Sequence, residues 1–240
     1  GQIFGLISGQ ALGGLFADTL GWRWAFVFLA VLYGWIGIVL LRAVKRLPPP
    51  TPDTAAPGPA SPLGPVALVL ADRAARGILV TVFVESMAMF GVIAFIPAFL
   101  HERFAISLFH AGLVVAVFGA GGLAYTLFAR RWVRFLGQPR LALVGGCLMG
   151  GAFLIFALAP DWHWGVVASL LAGLGFYQLH NTLQTQATQM APAARGTAVS
   201  IFASCFFLGQ AAGVSIGGIA VDRVDARWLF LAAALILPLV

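Results

Sequence analysis

Long apolar runs broken by short polar gaps set the pattern of this chain. A helix that crosses about 30 Å of hydrocarbon needs roughly 20 mainly apolar residues. Segments at 1–17, 23–41, 77–100, 108–129, 141–159, 163–189, 196–221 and 227–240 meet that requirement in whole or part, the first and last reading as truncated spans. Only helices and closed barrels satisfy every backbone group inside a bilayer. Runs this long favour helices, so the pattern predicts an all-α, polytopic membrane protein. One stretch breaks the rhythm. Pro48-Pro49-Pro50-Thr51-Pro52 through Pro65 cannot continue a helix and has little to bury. The expected organisation is therefore a pair of helices over 1–41, a linker over 42–76 and a set of six helices over 77–240.

Composition supports the membrane reading. Of 240 residues, 61% are hydrophobic and 9% charged, with a mean hydropathy of +0.98, whereas about a quarter of a soluble domain is charged. The net charge of +6 would suit nucleic acid only if the basic residues shared one exposed element. They fall instead in the gaps between apolar runs. With the linker placed in the cytoplasm, Arg42, Lys45, Arg46, Arg73, Arg76, Arg130, Arg131, Arg134, Arg140 and Arg195 lie on its side, against Arg23, Arg103, Arg223 and Arg227 opposite. That asymmetry satisfies the positive-inside rule. The expectation is a multi-pass protein of the cell membrane, the bacterial inner membrane, with its linker cytoplasmic and no nucleic-acid partner. Cys147 and Cys205 lie inside apolar runs without CxxC spacing and read as small packing residues. No cofactor or metal is expected. There is no Gly-x4-Gly-Lys-Ser/Thr loop to cradle phosphate, no Gly-x-Ser-x-Gly elbow and no His-Glu-x-x-His, so neither an ATP-driven engine nor an enzyme is predicted.

An internal repeat carries further information. Gly5, Gly9, Gly13, Gly14, Asp18, Arg23, Trp24 and Phe26 recur without a gap as Gly209, Gly213, Gly217, Gly218, Asp222, Arg227, Trp228 and Phe230, at a constant offset of 204 residues. Glycines four apart share one helix face and let a neighbouring backbone approach closely, which is how helices associate in lipid. These eight glycines are the expected packing motif. Because the register extends past the helix end into Asp and Arg-Trp-x-Phe, the two copies read as equivalent parts of two parallel halves.

With these residues in hand the chain resembles the major facilitator superfamily, whose twelve-helix members have two six-helix halves joined by a cytoplasmic loop. The resemblance implies a bundle of that type with its first half truncated, 1–41 being helices 5 and 6, 42–76 the central linker and 77–240 helices 7 to 12. Gly9-Gln10-Ala11-Leu12-Gly13-Gly14 is similar to the family's antiporter motif in helix 5, with Gln10 where proline is usual. Arg130 to Arg140 resembles loosely the basic loop between helices 8 and 9, without its usual Asp. By this resemblance the protein is expected to be a secondary transporter of a small-molecule substrate, similar to drug:proton antiporters, exporting by alternating access and monomeric when full length. A transport-inactive membrane scaffold or sensor, and an intramembrane enzyme using His180, are the alternatives.

Polar groups inside a bilayer are costly and point to function. Glu85 is the one acid deep in a spanning segment, and desolvation opposes the charged form of a carboxyl, so it is a candidate for loading and releasing a proton. At 1.5 Å per residue it stands about 12 Å above Gly77, and His180 about 15 Å above Met190 at the same end. The two are expected at similar depth, with His180 tuning or sharing the proton. Placed on a helical wheel, Gln178, Asn181, Gln184, Thr185 and Thr188 fall with His180 inside an arc of about 160°. Gln178, Asn181, Gln184 and Thr185 are candidates to line a substrate cavity, the alternative being hydrogen bonds between helices. Pro97 is expected to kink the third run near its outer end.

Overall fold

A computed structural model describes residues 2–45 and 64–240 of the chain. Every regular element among them is helical. They are α1 (Gln2–Thr19), α2 (Arg23–Val44), α3 (Gly64–Ala71), α4 (Arg73–Ile93), α5 (Ile96–Phe104), α6 (Leu108–Leu158), α7 (His163–Ala187), α8 (Arg195–Val221) and α9 (Ala226–Ile236). Among the described residues, four stretches are long and apolar enough to cross a membrane by length and composition, namely Arg23–Val44, Arg73–Phe104, Leu108–Leu158 and Pro192–Val221. The all-α, polytopic fold predicted from hydropathy is the fold observed.

Boundaries differ where local chemistry overrode hydropathy. The proline-rich core of the linker, 46–63, lies outside the described residues. Its expected last part, 64–76, contains α3 and the start of α4, because Val66-Ala67-Leu68-Val69-Leu70 is an apolar run that packs, with Val69 fully buried. Asp72 then caps α4 by accepting from the Ala74 and Ala75 amides, satisfying donors that a helix start leaves unpaired. The chain breaks at Ala94 and Phe95, and Pro97 begins the next helix rather than sitting inside one, the place where its missing N–H costs nothing.

The basic stretch 130–140, expected as a loop, is mostly helical. Arg130, Arg131 and Arg134 continue α6 on exposed positions. The break is confined to Gly137, whose φ of 72° and ψ of 165° is a conformation essentially reserved for glycine. Pro139 then sits in the first turn beyond the break. α6 is thus two arms, 108–136 and 138–158, serving as the fourth and fifth apolar runs.

The core forms around Phe118, Phe153, Phe156, Phe176 and Phe230, all fully buried. α7 lies between the two arms of α6. A β-carbon at Gly121 or Gly145 would strike the α7 backbone, at Leu174 N (2.5 Å) and Gly175 O (2.6 Å) respectively. α8 packs on α4 through its own glycines. Gly213 abuts the Met87 carbonyl, and a β-carbon on Gly91 would stand 2.8 Å from the Gly213 backbone. Lipid supplies no hydrophobic drive between helices, so this close approach is what holds the seam.

α1 packs on the start of α6. A β-carbon at Gly14 would stand 2.6 Å from the Leu108 carbonyl oxygen. Just beyond, Asp18 accepts hydrogen bonds from the Leu108 amide (3.1 Å) and the Phe109 amide (2.7 Å). Ser107 takes the His110 amide, so the first donors of α6 are all satisfied. The Phe109 N–H foremost holds the Asp18 carboxyl below the usual carboxylate range. α2, by contrast, has no buried residue, and Trp24, Phe26, Tyr33 and Trp35 stand exposed. Such a large exposed apolar surface is that of a membrane protein.

Candidate functional site

The site begins with the pattern of α4. Leu79, Val82, Ser86 and Met89 recur at helical spacing, all buried, and Glu85 falls within the same stripe. Its position forces a carboxyl into the interior of the bundle, where it is 0% exposed. On α7, His180 follows Phe176 by one turn and is likewise buried. The two meet: His180 Nδ1 lies 3.1 Å from Glu85 Oε2.

Aromatic rings enclose this contact. The Phe176 ring stacks on the imidazole at 4.9 Å with a 13° interplanar angle. Phe206 and Phe202 of α8 approach it at 4.8 and 5.7 Å. Phe90 bridges Phe176 and Phe206 edge-on, at 5.6 and 5.4 Å. Ser86, beside Glu85, donates instead to the Phe83 carbonyl. The second carboxyl oxygen, Oε1, is buried without a hydrogen-bond partner among the described residues.

Imidazole can donate from Nδ1 to a carboxylate or accept from a carboxylic acid. In either case one proton lies between two atoms 3.1 Å apart, in surroundings from which bulk water is excluded. Three helices build the arrangement: movement of α7 against α4 changes the hydrogen bond, and movement of α8 changes its enclosure. The pair sits inside the bundle of α4, α7 and α8 rather than on an open wall.

The other polar residues of α7 divide. Gln184 and Thr185 are exposed, and Asn181 is half-buried beside Tyr125. The Thr185 hydroxyl donates to the Asn181 carbonyl (2.7 Å), which ties it to its own helix. Gln178 is buried, its β-carbon facing Gly145 on the second arm of α6, and its Oε1 has no hydrogen-bond partner among the described residues. It lies on the side of α7 away from Glu85. The enclosing phenylalanines were not singled out in the sequence; the spacing of four between Phe202 and Phe206, one turn of one helix face, was the available signal.

Among the described residues no group of three or more His, Cys, Asp or Glu could hold a metal ion. Together the fold and this pair define a class, the multi-pass helical membrane proteins that bury an ionisable pair within the bundle. Residues 1–214 match the family described as the Major Facilitator Superfamily; the chain belongs to that family. Among curated proteins it is similar to the "Probable sugar efflux transporter" of Mannheimia succiniciproducens, 27% identical over 90% of this chain and 53% of the relative. The proteins of the same printed name from Pasteurella multocida (24%, covering 96% and 55%) and Helicobacter pylori strain HPAG1 (23%, covering 95% and 56%) are also similar. The chain spans about half the length of these relatives. No solved structure matches it significantly.

Proposed function

We propose that the full-length protein is a proton-coupled secondary transporter that exports a small neutral, hydroxyl-rich solute of the sugar type across the bacterial inner membrane. In this reading 1–41 is the end of a first six-helix half, 42–76 a cytoplasmic linker and 77–240 the second half. Family membership and the printed names of the relatives support the transport class and the solute. One observation carries the coupling: a fully buried carboxyl and a largely buried imidazole 3.1 Å apart, joined by no other ionic partner among the described residues.

Export against a proton gradient requires that proton and solute compete for one state of the transporter. Glu85 and His180 hold the proton. Asn181 follows His180 directly, Gln184 and Thr185 lie about one turn further along α7, and the three offer amides and hydroxyls of the kind a sugar needs. Solute contact with that stretch would shift α7, and the hydrogen bond from His180 to Glu85 would shift with it. The phenylalanines around the pair keep water from short-circuiting the exchange.

The test is sugar transport by the full-length protein in proteoliposomes with an imposed pH gradient. Accumulation on the acidic side, abolished when the gradient is collapsed, is the expected result. Movement of sugar that ignores the gradient would remove the coupling, and no movement of any sugar would remove the solute class.

A further inference from the structure

The four histidines have three kinds of partner. His163 and His180 each place Nδ1 on a carboxyl, that of Asp161 and that of Glu85. His101 Nδ1 lies 2.7 Å from the Ile106 carbonyl oxygen. A carbonyl only accepts, so that nitrogen carries a proton whether the ring is neutral or charged. His110 Nδ1 lies 2.8 Å from the Ser107 hydroxyl, the one imidazole–hydroxyl contact among the described residues, and a hydroxyl can donate or accept. Ser107 stands where α1 meets α6. Its Oγ accepts the His110 amide (3.2 Å), and its hydroxyl lies within reach of the Asp18 carboxyl, which also takes the Leu108 and Phe109 amides. The oxygen has one proton and two lone pairs, so His110 and Asp18 compete for that proton. When the neutral ring carries its proton on Nε2, Ser107 donates to Nδ1 and leaves Asp18 with the amides alone. The charged ring permits only the other direction. Its Nδ1–H and the His110 amide then fill both lone pairs, and the Ser107 proton turns to Asp18.

We propose that His110 is a proton-binding site at the outer end of the protein, loaded from the outer medium, and that Ser107 relays its state to the contact between α1 and α6. His110 is exposed, and imidazole is the side chain that changes charge between about pH 5 and 8. Loading tightens the contact, because a hydroxyl bonded to a carboxylate makes one of the stronger hydrogen bonds. Asp18 stays charged over that span, held below the usual carboxylate range by the Phe109 amide foremost. His101 of α5 also acts on Asp18 through its charge, but its bond to Ile106 is the same in both of its states. Glu102 and Arg103 of α5 face the cavity they share with Asp225 and Arg227, and Arg23 stands over the Trp22 ring. In the orientation and two-half organisation proposed above, α1 and α6 belong to opposite halves. Protons outside therefore hold the outer end shut and favour the state that takes up solute from the cytoplasm. The buried pair carries the coupled proton, and His110 sets the gate. The switch depends on the geometry of this contact, and its consequence for transport on the transporter reading above.

The experiment measures a distance across the contact in the full-length protein, by electron–electron spin resonance between nitroxides on cysteines placed at Leu20 and Leu113, both exposed, in an otherwise cysteine-free background. Glu85→Gln is included throughout to silence the buried pair. No sugar is added. Lowering the pH from about 8 to about 5 should raise the ratio of short to long distances several-fold. His110→Gln, at an exposed position, and Ser107→Ala should each flatten that profile, and His101→Gln should keep it. A flat profile in the parent protein overturns the proposal. So does a full response in His110→Gln or Ser107→Ala, and so does its loss in His101→Gln alone. Because no step of the measurement requires transport, a protein that moved no sugar yet kept the His110-dependent response would lose the transporter reading and retain the switch.

Discussion

Replacing Gly91 by alanine tests the seam that holds α8 against α4 and thereby positions Phe202 and Phe206 over the ionisable pair. The added methyl would stand 2.8 Å from the Gly213 carbonyl carbon and oxygen and 2.9 Å from its α-carbon, whereas carbon atoms rest at about 3.5–4.0 Å. The atoms it meets are backbone, which cannot rotate aside as a side chain can. The helices must therefore part by roughly 0.7 Å or more, and a gap of about 0.5–1 Å forfeits a quarter to a half of each neighbouring contact. Overpacking of this kind costs about 1–3 kcal/mol, which corresponds to a drop of roughly 5- to 150-fold in the ratio of folded to unfolded protein. Gly151→Ala adds the same methyl where nothing lies within 4 Å and controls for the general effect of exchanging glycine for alanine in a helix. Reversible unfolding of the full-length protein in mixed micelles by increasing SDS gives the comparison. If Gly91→Ala and Gly151→Ala unfold at the same SDS fraction, the account of the seam is wrong.

Phe176→Ala removes a ring that is 2% exposed and stacked on His180; a loss of about 3–5 kcal/mol is expected in the same titration, together with faster exchange of the imidazole protons by NMR. Gln178→Leu replaces a buried side chain whose Oε1 has no partner among the described residues. An unsatisfied buried acceptor costs about 1–3 kcal/mol, so the variant should be no less stable than wild type and should transport normally. The depressed Asp18 carboxyl contributes stability above its ordinary value of 3.8 and loses it as pH falls through the lower folded value. The gap in thermal midpoint between wild type and Asp18→Asn should therefore be full at pH 7 and shrink as the pH falls below 3.8.

How much of this was legible in the sequence depended on the range of the cause. Helices announced themselves because hydrocarbon thickness and helix rise fix their length. The shared depth of Glu85 and His180 followed from counting residues along two helices from one end. Direction was harder. A wheel orders Gln178 and Asn181 around α7 but does not say which neighbour lies at which angle. Gln178, at the edge of the polar arc, turned out to face Gly145. The same limit applies to the glycine repeat, where identical residues predict close packing in both copies yet only the assembled bundle reveals that they use different faces. At 130–140 the arginines suggested a loop because charge was equated with exposure. The exposed side of a helix accommodates them equally well, and a single glycine at Gly137 suffices to turn the chain. The enclosure by Phe176, Phe202 and Phe206 joins two helices and so had no one-dimensional signal beyond periodicity.

The most direct test of the account is the proton released when sugar binds to the purified full-length protein, followed with a pH indicator in weakly buffered detergent solution. Linkage requires that a solute competing with a proton displaces it. Wild type should release about one proton per bound solute near neutral pH, and Glu85→Gln should bind the solute and release none. Release from Glu85→Gln equal to that of wild type would show that the proton resides elsewhere, and the reading of the Glu85 and His180 pair would fall with it.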